Sequence, residues 1–310
     1  MPEGDTVLRT ARRLETVFAG ALLTRAELRW GSLDGTPLLG ATTTEVVARG
    51  KHILHRFDAG LTLHSHLRME GQWRITAVAD APPLGTRAAS DTQVRAVLVT
   101  DAWAGVGNRL GMLDLVRTAD EHLLVGHLGP DILGVDWNEE VAITNLASYP
   151  GSIAAGLLDQ RNLAGIGTLY TCETLFIERI HPWTQACRMP PGDLRRVIVR
   201  AQGLMRANLG HAVQSTTGER RRGHEKYVHA RSGRAHMRAV PTPACSSRTA
   251  RFGLTPACPL STLLRVTREI PSRSAVSETV SPSSASTSSR RISPGCAGFD
   301  ITIAIVIVLL

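Results

Sequence analysis

The chain opens on MPEGDT. If Met1 is removed, as is usual ahead of a small second residue, the nitrogen of Pro2 changes from an amide to a free secondary amine. An α-amino group has a pKa of about 8, so a useful fraction is uncharged near neutrality. Such an amine attacks an aldehyde-like carbon and forms an iminium directly. Pro2 and Gly4 would equally serve to shape the start of a helix near Asp5, so the remainder of the chain must decide between chemistry and geometry.

A second concentration of signal is LLDQRNLAGIGTLYTCETLF. Apolar residues run to Leu158, Arg161 to Ile166 form a turn, and a further helix is expected from about Gly167. Gly165 and Gly167 allow close approach of a partner to the backbone, and a helix N-terminus offers unpaired N–H groups. A DNA phosphate is a natural ligand for such groups. The alternative is a helical hairpin whose glycines only permit tight packing. His64 and His66 share a strand face, but spacing places no third metal ligand, so a structural or DNA-facing role is expected.

These residues need elements to hold them. Val7, Leu8, Ala11, Leu14 and Phe18 fall on one face of a helix from Asp5 to Phe18, stopped by Gly20. From Ala21 to about Val125 the pattern is short strands between Gly, Pro and Asp, including TEVVARG, HILHRFD, LTLHSHL, QWRITAV and RAVLVTD. Their spacing predicts a β-sandwich or barrel. After GHLGPDIL the pattern turns helical, through NEEVAITNL to PGDLRRVIVRAQGLMRANLG. The expected class is α+β, divided into a β-sandwich domain with a leading helix (1–125) and a helical domain (126–225).

The 310 residues carry a formal charge of +8, which suggests a polyanionic partner such as nucleic acid. Between Thr217 and Arg251 nine Lys or Arg face only Glu219 and Glu225. Five scattered cysteines, with no signal peptide, argue against a disulfide framework and for a reducing cytoplasm. The terminal run ITIAIVIVLL is too short to span a bilayer, so no membrane role is expected.

The opening PEG, the ARGKHIL segment, the LLDQ…AGIG…E run and KYVHARSGRA occur in that order. Together they resemble the formamidopyrimidine-DNA glycosylase/endonuclease VIII family of base-excision repair enzymes, over about residues 2 to 235. PEGDT looks most like the actinobacterial endonuclease VIII branch. The resemblance implies that the helical run is a helix-two-turn-helix. It implies a bifunctional DNA glycosylase/AP lyase acting on oxidised bases, pyrimidines foremost, in damaged double-stranded DNA. Pro2 would attack C1′ of the damaged nucleotide and Glu3 would act as general acid and base. Lys51 would be the catalytic lysine, contacting phosphate beside the lesion. An enzyme acting on a stacked base must flip it out and fill the gap. In HSHLRMEGQW, Arg68, Met69 and Glu70 match the loop that the family inserts, although Met69 is equally reasonable as core. Thr168 stands where the family often has Asn, with shorter reach to phosphate. A bacterial, cytoplasmic, nucleoid-associated monomer is expected.

The family normally ends in two C-x2-C pairs holding one zinc. Here GRAHMRAVPTPAC follows instead, and Cys245 and Cys258 have no partners at that spacing. No cofactor is therefore expected, with residues 226–265 a remnant of the finger. Residues 266–310 are expected to be disordered, since ten of the twenty-two from Ser272 to Ser293 are serine. Read one nucleotide later, Met237-Arg238, Val240-Pro241, Leu260-Ser261 and Leu263-Leu264 can each encode cysteine, and Val266-Thr267 can encode a stop. That spacing fits a zinc finger, so a frameshift near His236 is inferred. Two rival functions follow: a non-catalytic nucleic-acid-binding relic of the family, and a tautomerase-like enzyme that uses an N-terminal proline as base. The second class has much smaller chains without a basic helical domain. Sequencing codons 234 to 268 is expected to show four cysteine codons in the shifted frame; their absence would overturn the frameshift.

Overall fold

The computed structural model describes residues 2–80 and 92–229. The leading helix α1 runs Gly4–Phe18, one residue earlier than its apolar stripe predicts. Beyond it the chain turns at Gly20, whose φ of 74° lies in the left-handed region. Eight strands follow: β1 (Arg25–Leu28), β2 (Thr43–Arg49), β3 (His52–Phe57), β4 (Leu61–His66), β5 (Gln72–Ala77), β6 (Val94–Val99), β7 (Trp103–Asn108) and β8 (Met112–Arg117). They form two antiparallel four-stranded sheets, ordered β1-β6-β7-β5 and β2-β3-β4-β8.

Each strand expected from the sequence is present. β1, β7 and β8 complete the sheets; WAGVGN of β7 is glycine-rich and gives little alternation to read. The glycines have a use, since a Cβ at Gly105 would lie 2.9 Å from the Phe18 ring. The sandwich core joins Val7, Ala11, Leu14 and Phe18 of α1 to Leu23, Ile53, Phe57, Leu63, Leu98 and Leu113. The leading helix is thus part of the sandwich core.

The helices after the strands are α2 (His122–Val125), α3 (Glu139–Ala147), α4 (Ile153–Leu158), α5 (Thr168–Glu178) and α6 (Pro191–Asn208). Asn138 caps α3 by accepting from the Val141 amide at 3.1 Å, and Ser152 caps α4 by accepting from the Ala155 amide at 3.3 Å. A second core gathers Ile132, Leu146, Ile153, Leu157, Leu169, Tyr170, Val197, Ile198 and Met205. The zinc-finger remnant from Ala230 on, the inferred frameshift and the serine-rich tail lie outside the described residues.

Leu14 is fully buried at the junction of helix and sandwich. Leu14→Ala is expected to lower unfolding free energy by about 2–5 kcal/mol. Leu22→Ala, at a residue 52% exposed, should cost under about 0.5 kcal/mol. Urea denaturation with an unchanged m-value checks both.

Candidate functional site

Glu3 is the residue just ahead of α1, and only 1% of it is exposed. Its carboxylate lies on the N-terminus of α5, more than 160 residues away in sequence. Oε2 accepts from the Gly167 amide and Oε1 from the Leu169 amide, both at 2.7 Å, and Oε2 also accepts from the Tyr170 amide at 3.4 Å. The first turn of a helix leaves its N–H groups without intrahelical partners, so the fold supplies them to a buried anion. Burial is the largest influence and pushes the Glu3 carboxyl above its usual range; attraction to Lys51 and the Leu169 and Gly167 amides pull the other way.

The glycines make this approach possible. A Cβ on Gly167 would stand 2.5 Å from Glu3 Cδ, and one on Gly4 would stand 3.0 Å from Gly165 Cα. The Gly4 amide donates to the Gly165 carbonyl at 2.9 Å, and the Gly165 amide donates to Gln160 Oε1 at 3.0 Å. The Gly165 and Gly167 amides are therefore occupied internally, and neither is open to a phosphate. At both positions the missing side chain lets the backbone and side chain of residues 3–4 approach closely. Thr168 is the half-buried first residue of α5.

Lys51 sits in the two-residue turn between β2 and β3, with Gly50 (φ 59°) at the first turn position. Glycine there is the type II′ hairpin arrangement. The turn is docked on the helical half: the Gly50 amide donates to Asp131 Oδ2 at 2.7 Å, and a Cβ on Gly50 would meet Ala164 Cβ at 2.9 Å. Asp131 also accepts from the Leu133 amide at 3.0 Å, while Arg49 pairs with Asp136 at 2.8 Å. Burial holds the Lys51 ammonium below its usual pKa, and attraction to Glu3 opposes the shift. Pro2, Glu3 and Lys51 thus belong to one neighbourhood assembled from both halves.

Sequence reasoning missed three supports of that neighbourhood. Asp5 is fully buried and accepts from Tyr170 Oη at 2.9 Å and from Gln214 Nε2 at 2.9 and 3.0 Å. Asp131 and Gln214 carry no local pattern that could have marked them. Asp5 could have been noticed as a charge on the buried face of a predicted amphipathic helix.

The expected gap-filling turn lies elsewhere on the sandwich, between β4 and β5. Met69 is 63% exposed and so is not core. Arg68 in this turn and Arg109 in the β7–β8 turn both hold left-handed backbone, at φ 48° and 49°, an uncommon conformation for residues with a Cβ. Arg109 bonds Glu70 at 2.5 Å and Gln93 at 2.8 Å, which ties the two turns together. Beside them is an open groove of about 380 Å³ lined by Trp30, Arg68, Met69, Arg95 and Arg109 among others.

His64 is a core histidine, 1% exposed, bonded at 2.8 Å to Asp114 and at 2.8 Å to His52. His66 accepts the Arg68 amide at 2.9 Å on Nδ1. Burial lowers His52 to about 3 and His66 to about 4, so both rings are neutral. Among the described residues no group of three His, Cys, Asp or Glu is placed to hold a metal. The cysteines do not fit a four-thiolate zinc site: burial pushes the Cys172 thiol up to about 12, Cys187 is exposed, and Cys245, Cys258 and Cys296, which lie outside the described residues, lack C-x2-C spacing.

Two family models match adjoining parts of the chain: a formamidopyrimidine-DNA glycosylase N-terminal domain over residues 1–128, and a formamidopyrimidine-DNA glycosylase H2TH domain over 128–219. A probable endonuclease 8 2 of Streptomyces coelicolor is 43% identical over 77% of this chain and 84% of its own length. A DNA-(apurinic or apyrimidinic site) lyase Nei2 of Mycolicibacterium smegmatis is 38% identical over 75% of this chain and 88% of its own. The crystal structure of Lactococcus lactis formamidopyrimidine-DNA glycosylase bound to DNA with an AP site shares the fold, with a TM-score of 0.58, 21% identity, and coverage of 67% of this chain and 81% of that one. From the β-sandwich through the helix-two-turn-helix that caps Glu3, the chain belongs to the formamidopyrimidine-DNA glycosylase/endonuclease VIII family.

Proposed function

We propose that this chain is a base-excision repair DNA glycosylase with AP lyase activity, acting on oxidised bases, chiefly pyrimidines, in duplex DNA. The observation that carries the reading is the buried Glu3 carboxylate, next in sequence to Pro2, in the electrostatic reach of Lys51. A carboxyl held above its usual range can carry a proton to a sugar oxygen. The relatives named as endonuclease 8 and AP lyase support the same class.

In the proposed sequence the Pro2 amine, freed by loss of Met1, forms a bond to C1′ as the C1′–base bond breaks, and the amine's proton leaves with the base. Glu3 protonates the ring oxygen as the sugar opens, and the nitrogen, having lost its proton, becomes an iminium. The iminium acidifies the C2′ proton; its loss breaks the C3′–oxygen bond and nicks the strand. Lys51 contacts a phosphate beside the lesion. Exposed Met69 fills the space vacated by the flipped nucleotide, with Arg68 and Glu70 flanking it. No step is routed through zinc.

Borohydride trapping on duplex DNA with an abasic site tests the reading. A covalent cross-link is expected with the native chain and none with Pro2→Gly. A native chain shown to lack Met1 that forms no cross-link would leave a binding relic in its place.

The two steps should also respond oppositely to pH. The Glu3 pKa is raised, so its proton is present below that value and lost as pH rises through it. The Pro2 amine is protonated below about 8 and becomes nucleophilic as pH rises. Trapping at a preformed abasic site, whose open-chain aldehyde needs no acid to open a ring, should therefore increase towards alkaline pH. Base excision relative to trapping should fall over the same range, and Glu3→Gln should depress that ratio at every pH. A ratio independent of pH in the native chain would remove Glu3 from the acid role.

A further inference from the structure

The segment after α6 is fastened to the helical domain at both ends by a single buried side chain. Glu173, on α5 and fully buried, accepts from the amides of Tyr227, Val228 and His229, each at 2.7 Å, and from the Thr216 hydroxyl. Asn208, also fully buried, holds Ser215 from both sides, donating to its carbonyl at 2.8 Å and accepting from its amide at 2.7 Å. Gln214 reaches Asp5, two residues from Glu3. Bonds across the loop close it: Thr216 N to the Glu225 carbonyl at 2.7 Å, Thr217 Oγ1 to the His224 carbonyl at 2.6 Å, and Ser215 Oγ to the Glu219 carbonyl at 2.6 Å.

At the tip of this closed loop stand Arg220, Arg221 and Arg222, all exposed. None of the three has an ion-pair partner among the described residues. The acidic neighbour Glu219 lies 3.6 Å from the His224 ring of the same loop. Ten of the nineteen other arginines among the described residues are ion-paired in place, as Arg56 is by Glu121 and Glu45, Arg161 by Asp159, and Arg195 by Glu139 and Glu140. Three adjacent unpaired guanidinium groups repel one another, and a fold gains nothing internally by fixing their backbone. Glu173 lies four residues beyond Leu169, whose amide holds Glu3, about 6 Å along the helix axis. The loop is thus rooted within about one helical turn of the candidate catalytic carboxylate.

We infer that residues 214–229 form a phosphate clamp, in which Arg220, Arg221 and Arg222 grip the DNA backbone beside the damaged nucleotide and Glu173 fixes the loop that presents them. The inference rests on the proposed DNA-repair function and extends it to residues that the proposed chemistry does not use. Guanidinium groups suit phosphate oxygens, which they meet with paired hydrogen bonds. Contacts of this kind position the protein and carry no base sequence. Among the described residues the loop is tied to α1 through Asp5, to α5 through Glu173 and to α6 through Asn208.

The test is DNA binding by the full chain over a salt series, comparing the native protein with a triple variant, Arg220→Gln, Arg221→Gln and Arg222→Gln. A charge control replaces Arg12 and Arg13, exposed on α1, with Gln. Each phosphate contact contributes about 0.9 to the slope of log K against log salt on B-form DNA. The triple variant is expected to flatten that slope by about 2–3, equally on duplexes of unrelated sequence, and the control to change it by less than about 1. A triple-variant slope shifted no more than the control's would overturn the clamp, as would a loss confined to one DNA sequence. If the native chain traps on abasic DNA while the triple variant keeps its slope, the clamp alone falls. If the native chain neither binds nor traps, the function falls and the clamp with it.

Discussion

The structure depends on placing one carboxylate, that of Glu3, out of water against the start of α5. An unpaired carboxylate in a protein interior is costly enough that it would ordinarily take up a proton or remain at the surface. Three amides and the positive end of a helix offset that cost without neutralising the group. Burial outweighs the amides and Lys51, so the Glu3 carboxyl keeps its proton to higher pH than an exposed glutamate does. The requirement then spreads outwards. Gly167 must lack a side chain because Glu3 fills its place, Gly4 must lack one because Gly165 and Met205 press on it, and Gly50 must turn sharply where Ala164 limits its space.

Helix α5 accordingly works as a spine with a separate task at each turn. Its N-terminal amides hold Glu3, its Tyr170 hydroxyl holds Asp5, and Glu173 holds the chain that returns after α6. Tyr170 contributes most of its surface to the helical core while its hydroxyl serves the N-terminal segment. A buried tyrosine usually finds a partner for its hydroxyl, and here the partner is a carboxylate that also receives Gln214. Burial and the neighbouring Asp5 raise the phenol's pKa, so the hydroxyl stays a donor and the bond keeps its sense.

The legible parts of the fold were those encoded locally. The short strand segments HILHRF and LTLHSH and the stripe through Val7, Ala11, Leu14 and Phe18 are local features, and both appear where expected. Met69 was ambiguous in sequence, since a flexible apolar residue suits core and surface equally; exposure separates the two. Asp131 was illegible, because its function is a hydrogen bond to Gly50, 81 residues away. The GIG turn was half legible. Its glycines signal a close backbone approach, but composition does not say that the approaching group is the protein's own glutamate rather than a phosphate.

That last point bears on why the two halves are joined through the site. Were α5 to bind an external phosphate through these amides, the helical domain could fold and bind without the sandwich. Because Glu3 occupies them, the acid is satisfied only when α1, the β2–β3 turn and α5 are all in place. Loss of the helical partner would leave Glu3 as an unpaired buried charge or force it into solvent. The same spine also fastens the arginine-bearing loop through Glu173. Native tertiary structure thus sets the acid's proton affinity and the placement of the loop's positive charge together, along one eleven-residue helix.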